Sequence, residues 1–273
     1  MDMTLTFPGA PLASDPPATT NYAIDGPAHR LLLHPFPRRV RARFAGEVVL
    51  DSTRGALLHE SNILPRLYVP LDDVRADLLE RTDHATHCPF KGDASYWSVR
   101  VGDRVAENAV WSYPEPGEDA PPLEGYYAFY WDRMDEWYEE DELAIVHARD
   151  PYHRTDILDS SRHVRVSIDG ELVAESTSTR VVYETGLPPR WYFPPDDVQR
   201  ELLAGSDSRT GCAYKGFASY YSVAGEEDVA WYYPEPTRDF ERIAGLICFF
   251  NERVDLEVDG ELQGRPTTQW SKH

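Results

Sequence analysis

Pro65-Arg66-Leu67-Tyr68-Val69-Pro70-Leu71-Asp72-Asp73-Val74 returns later in the chain as Pro189-Arg190-Trp191-Tyr192-Phe193-Pro194-Pro195-Asp196-Asp197-Val198. In each copy a short run of bulky residues is closed by a proline. That pattern predicts a strand, because proline cannot donate to a sheet ladder and ends it. The paired aspartates that follow predict one or two helical turns, from Asp72 to Leu79 and from Asp196 to Leu203, with the carboxylates capping free amides.

The match spreads outward from this stretch. At an offset of about 124 positions, roughly 27 of the 60 residues from Val40 to Val99 are identical in the second copy. Val40-Arg41 meets Val164-Arg165, Glu60 meets Glu184, and Cys88-Pro-Phe-Lys91-Gly92-Asp-Ala-Ser-Tyr96 meets Cys212-Ala-Tyr-Lys215-Gly216-Phe-Ala-Ser-Tyr220. After a short slip, Trp111-Ser-Tyr113-Pro-Glu-Pro116 meets Trp231-Tyr-Tyr233-Pro-Glu-Pro236, and Arg133-x-Asp135 meets Arg253-x-Asp255. A period this long marks a duplicated domain rather than a solenoid unit. The boundaries expected are a flexible tail over 1–25, a first domain over 26–146, a second over 147–263, and a C-terminal tail over 264–273. Each domain reads as mainly β, with one short helix, because many short strands are punctuated by glycine and proline. The sheet is expected to be bent and tent-like, or barrel-like. Asp169-Gly170 between alternating runs is a hairpin signal.

The net charge of −20 argues against phosphate backbones and anionic lipid surfaces as partners. No basic start precedes an apolar run, and no stretch is long enough to cross a membrane as a helix. A soluble cytoplasmic protein is the expectation. The linker is short, so a monomer whose halves pack with pseudo-twofold symmetry is expected. Cys88, Cys212 and Cys248 form no CxxC pair, and among nine histidines only His29 and His153 occupy matching positions. No metal site and no cofactor are therefore expected.

With its ordered motifs Tyr-x-Pro-x-Asp-Asp-Val, Cys-x-[Phe/Tyr]-Lys-Gly-x-Ala-Ser-Tyr and Trp-x-Tyr-Pro-Glu-Pro in both halves, the chain resembles two tandem copies of the family called domain of unknown function 427. The resemblance covers roughly residues 29–140 and 153–262. It implies a compact β domain similar to the tent-like sheets of yippee and cereblon-type domains and of methionine sulfoxide reductase B. Those relatives usually carry zinc on two CxxC pairs, which this sequence lacks. A nucleotidyltransferase label is sometimes attached to the family. The residues give it little support, since there is neither a glycine-rich phosphate loop before a helix nor a paired-aspartate strand motif.

The candidate site is read from the lysines. Only three of the 27 basic residues are lysine, and two of them, Lys91 and Lys215, hold one structural address. An ammonium is a compact charge that a planar guanidinium does not replace. Lys91 and Lys215 could hold an anion, stabilise an oxyanion or act as bases; alternatively each pairs with Glu60 or Glu184 to neutralise a buried acid. Glu60 and Glu184 lie in apolar strands, where an acid needs a partner and can serve as general acid or base. Cys88 and Cys212, three residues before the lysines, are candidate nucleophiles or small packing residues. Cys248 is expected to be packing. Arg66, Arg190, Tyr68, Tyr192, Tyr96, Tyr220, Trp111, Trp231, Tyr113 and Tyr233 are candidate ligand-binding residues, with core packing as the alternative for the aromatics. The function expected is a small-molecule enzyme or ligand-binding protein with no assigned reaction. The alternative is a non-catalytic interaction or sensing module built on an aromatic cage.

Overall fold

The computed structural model describes residues 26–223 and 225–271; the tail expected over 1–25 lies outside them. The described residues divide into two units between Tyr152 and His153. In the first, the strands are β1 (Leu31–Phe36), β2 (Val40–Phe44), β3 (Glu47–Ser52), β4 (Gly55–Glu60), β5 (Ile63–Pro70), β6 (Leu79–Cys88), β7 (Gly92–Val101), β8 (Arg104–Ser112), β9 (Tyr126–Phe129), β10 (Glu136–Glu139) and β11 (Glu142–Ala144). A seven-stranded sheet runs β1-β4-β5-β9-β8-β7-β6, and a four-stranded sheet runs β11-β10-β2-β3. Neighbouring strands are antiparallel throughout.

The core sits between the two sheets. Val40, Ala42 and Phe44 point inward at period two along β2 and pack with Phe36, Leu57, Val69, Val110 and Trp137. The seven-stranded sheet is also covered on its other face, where Leu58, Tyr68, Tyr96, Trp111 and Tyr113 gather around Leu123. Burial on both faces explains why β4 is buried at every position rather than at alternate ones. An acid at the end of that strand, Glu60, is thereby enclosed.

The second unit repeats the order. Its larger sheet runs Thr155–Ser160, Thr179–Glu184, Arg190–Phe193, Ile247–Phe249, Glu226–Tyr232, Gly216–Val223 and Leu203–Cys212. Its smaller sheet runs Glu171–Ser176, Val164–Ile168, Asp255–Val258 and Glu261–Leu262. Asp169 and Gly170 turn the predicted hairpin with positive φ at both positions. Both units are mainly β, and in neither does a sheet close into a barrel. Among the described residues no helix is long and apolar enough to cross a membrane.

The aspartate pairs act differently from the capping expected of them. The helical segment is two three-residue 3-10 turns, Leu71–Asp73 and Ala76–Leu78, without a side-chain cap at either start. Asp73 instead accepts a hydrogen bond from Ser52 Oγ at 2.6 Å and pairs with Arg54. Asp197 accepts one from Ser176 Oγ, also at 2.6 Å. A single 3-10 turn has little dipole to neutralise, so each carboxylate ties the turn to the end of the neighbouring strand.

Candidate functional site

Each lysine sits at the tip of the turn joining the two long strands at one edge of the larger sheet. Gly92 and Gly216 follow the lysines with φ of +98° and +105°. A Cβ on Gly92 would stand 3.1 Å from the Glu115 carbonyl oxygen, and one on Gly216 would stand 3.3 Å from that of Glu235. Glycine is needed there both for its backbone angle and for the close approach of the Pro-Glu-Pro loop. That loop locks the turn: the Gly117 amide donates to the Lys91 carbonyl, and the Thr237 amide to that of Lys215, each at 3.1 Å. The Lys-Gly and Pro-Glu-Pro motifs are thus two halves of one joint.

The joint aims the lysines at the glutamates. Lys91 Nζ donates to Glu60 Oε2, and Lys215 Nζ reaches both oxygens of Glu184 at 2.6 Å. All four residues are buried. A histidine completes each cluster, with His29 Nε2 2.9 Å from Glu60 Oε1 and His153 Nε2 3.0 Å from Glu184 Oε1. A carboxylate held by an ammonium can only accept, so Nε2 carries the proton in both histidines. The rings lie against matching aromatics, His29 stacked on Phe90 at 3.7 Å and His153 tilted by 32° against Tyr214 at 4.2 Å.

An open cleft of about 860 Å³ lies beside the first cluster, walled by His29, Cys88, Phe90, Glu118, Asp119 and their neighbours. A smaller one of about 400 Å³ lies beside the second, walled by His153, Thr155, Tyr214, Asp239, Phe240 and Arg242 among others. The histidines belong both to the cleft walls and to the buried clusters. The His29 side chain is 20% exposed, whereas that of His153 is 0% exposed. Cys88 is half-buried in the first wall. Cys212 is half-buried too, with its Sγ 3.8 Å from Lys215 Nζ. Cys248 is fully buried, and burial pushes its thiol far above the ordinary cysteine value.

The aromatic candidates form a different assembly. Trp111 Nε1 donates to the Tyr68 hydroxyl at 3.2 Å, and Trp231 Nε1 to that of Tyr192 at 3.1 Å. Tyr68 and Tyr192 are 1% exposed, and Tyr96, Tyr113 and Tyr233 are buried with them; Tyr220 is half-buried and bonded to Thr210. Burial pushes the Tyr68, Tyr113 and Tyr192 phenols well above the ordinary tyrosine value, so they remain neutral donors. Strand alternation does place Trp111 and Tyr113 on one face, but that face is packed.

The two arginines diverge. Arg190 is buried and forms a two-bond fork with Glu252, both bonds 2.7 Å. Arg66, its counterpart, is exposed. Among the described residues no group of three or more His, Cys, Asp and Glu side chains is arranged to hold a metal ion.

The model of the family described as Domain of unknown function (DUF427) matches the chain twice, over residues 32–140 and 156–260. The chain belongs to this family. No curated protein matches it. Within the tandem DUF427 chain, Glu60, Glu184, Lys91, Lys215, Trp111 and Trp231 all fall inside the matched segments. His29 and His153 fall just before them. These histidines are the site residues that sequence reasoning missed. Their signal was present, since they are the only matched histidine pair, but a position ahead of the first strand gave no hint of contact with Glu60 or Glu184.

Proposed function

We propose that the first unit is a small-molecule site in which His29 exchanges a proton with a molecule bound in the cleft. The observation that carries this reading is that His29 is shared between the cleft wall and the enclosed Glu60–Lys91 pair. Glu60 fixes the tautomer by accepting from Nε2, which leaves Nδ1 as the ring's proton acceptor. Lys91 holds Glu60 in place through their ion pair, so glutamate and lysine position and polarise the histidine rather than meet the ligand. The arrangement follows the logic of a base oriented by a buried carboxylate. The second unit has the same three groups, but the side chain of His153, which borders the smaller cleft, is 0% exposed, so its cluster reads as structural. An aromatic cage has less support, because the Tyr68–Trp111 and Tyr192–Trp231 pairs meet edge to face within packed clusters.

A screen of small polar metabolites by ligand-observed NMR would test this. Hits on the wild-type protein should bind more weakly, or cease to be converted, with His29→Gln, and should be indifferent to His153→Gln. Hits that ignore His29, or that depend on His153 instead, would overturn the proposal.

A further inference from the structure

The second unit contains a filled version of a site that the first unit leaves open. Around Arg190 stand Trp231, Phe250 and Trp270, with the guanidinium carbon 5.5, 5.8 and 5.4 Å from the ring centroids. Glu252 takes the guanidinium fork and also accepts from Thr268 Oγ1 at 2.5 Å. Thr268 and Trp270 belong to the C-terminal segment, beyond the repeated part of the chain. An aromatic ring and a carboxylate therefore satisfy the arginine together.

In the first unit the repeat places Arg66, Trp111, Tyr130 and Asp132 at the corresponding positions. The supporting pair is preserved, with Trp111 and Tyr130 4.7 Å apart at 46°, against 4.4 Å and 42° for Trp231 and Phe250. Three differences open it. Aspartate is one methylene shorter than glutamate, and among the described residues Asp132 and Arg66 form no counterpart of the Arg190–Glu252 ion pair. Among the described residues, none of the first unit takes the place of Trp270. Arg66 and Tyr130 are consequently exposed, the latter at 39%.

We infer that Arg66, Trp111 and Tyr130 form a binding site for a small aromatic carboxylate. Its carboxylate takes the arginine fork that Glu252 takes in the second unit, and its ring takes the place of Trp270. A guanidinium pairs with a carboxylate through two parallel bonds and at the same time stacks on a flat ring, so one ligand satisfies both requirements. This site is separate from the His29 cleft and stands or falls independently of the reading above.

The test uses the full chain and indole-3-propionate as probe, followed by isothermal titration and saturation-transfer NMR. Saturable binding is expected with a dissociation constant of about 1 mM or below, ordinary for a ligand of this size. Arg66→Gln, at an exposed position that tolerates the change, should weaken it at least about tenfold. The methyl ester of the probe should bind comparably weakly to the wild type. His29→Gln should bind the acid as the wild type does. Absence of saturable binding, or binding unchanged in Arg66→Gln, would overturn the assignment. So would loss of binding in His29→Gln alone, which would place the probe in the cleft.

Discussion

Lys215 Nζ stands 2.6 Å from each carboxylate oxygen of Glu184, and both side chains are shut away from solvent. Breaking such a pair from one side leaves an uncompensated buried charge. Lys215→Met should therefore cost about 3–5 kcal/mol, while Lys215→Met with Glu184→Leu should recover much of that loss. Lys215→Arg keeps the charge but must fit a wider group into an enclosed space, at about 1–3 kcal/mol. Urea denaturation of the three variants would check the order; equal losses for the single and double changes would show that the pair is not the cause.

Gly216→Ala combines an unfavourable backbone angle with a Cβ 3.3 Å from a carbonyl oxygen. It should destabilise the second unit by about 1–3 kcal/mol. The same change at Gly170, which also has positive φ but meets nothing within 4 Å, should cost less. Thermal denaturation of the two variants would give the comparison, and equal costs would remove the role assigned to the Pro-Glu-Pro contact.

His59 is wholly buried on β4, and neither ring nitrogen has a hydrogen-bond partner. Burial holds its pKa below the ordinary value; Asp150, with Oδ2 3.9 Å from Nδ1, opposes the shift and His34 adds to it. With the folded value depressed, the unfolded chain takes up its proton first as pH falls. Stability of the first unit should thus decline below about pH 6.5. His59→Leu should remove that decline without lowering stability at neutral pH. Stability measured against pH for both proteins would decide, and an unchanged slope would rule His59 out.

Glu252 behaves oppositely in origin. Burial pushes its carboxyl up, but the bonds and charge of Arg190, with Thr268, together hold it below the ordinary glutamate value. A depressed acid stabilises the fold above its unfolded pKa and loses that contribution as pH falls through the folded one. The second unit should therefore weaken on acidification below about pH 4.3. Trp270→Ala should bring solvent to the pair, reduce the shift and cost about 1–2 kcal/mol through the lost stacking on Arg190. Titration of the Glu252 carboxyl by NMR in both proteins would show whether its pKa rises toward the ordinary value.

Much of the fold was legible because its signals are local. Asp169-Gly170, the alternation of Val40, Ala42 and Phe44, and the prolines after Val69 and Phe193 each dictate a backbone event at their own position. The Lys–Glu pairs were legible too, as a lone acid in an apolar strand needs a cation. The rest depended on contacts distant in sequence. His29 meets Glu60 across a strand pairing, and Asp73 prefers Ser52 and Arg54 to the amides beside it. Nor could repetition alone separate Arg66 from Arg190, because Trp270, which helps to cover Arg190, has no counterpart among the described residues of the first unit.

The joint between the lysine turn and the Pro-Glu-Pro loop also has an engineering meaning. The eight residues 117–124 and 237–244 begin at the same amide-to-carbonyl clamp and share a buried anchor, Leu123 in one and Ile243 in the other, to which the second adds Phe240. They keep a matching aspartate, Asp119 and Asp239, but Glu118 and Ala120 stand where the second has Arg238 and Phe240, and they wall the clefts. The segment is a cassette of fixed length on a fixed mount. Swapping it between the halves should transplant the charge and shape of one cleft onto the other while keeping every residue of the histidine, glutamate and lysine triad, although the Phe240 ring, 5.7 Å from Lys215 Nζ, would leave the second triad with it; duplication in this way lets one scaffold acquire a second selectivity.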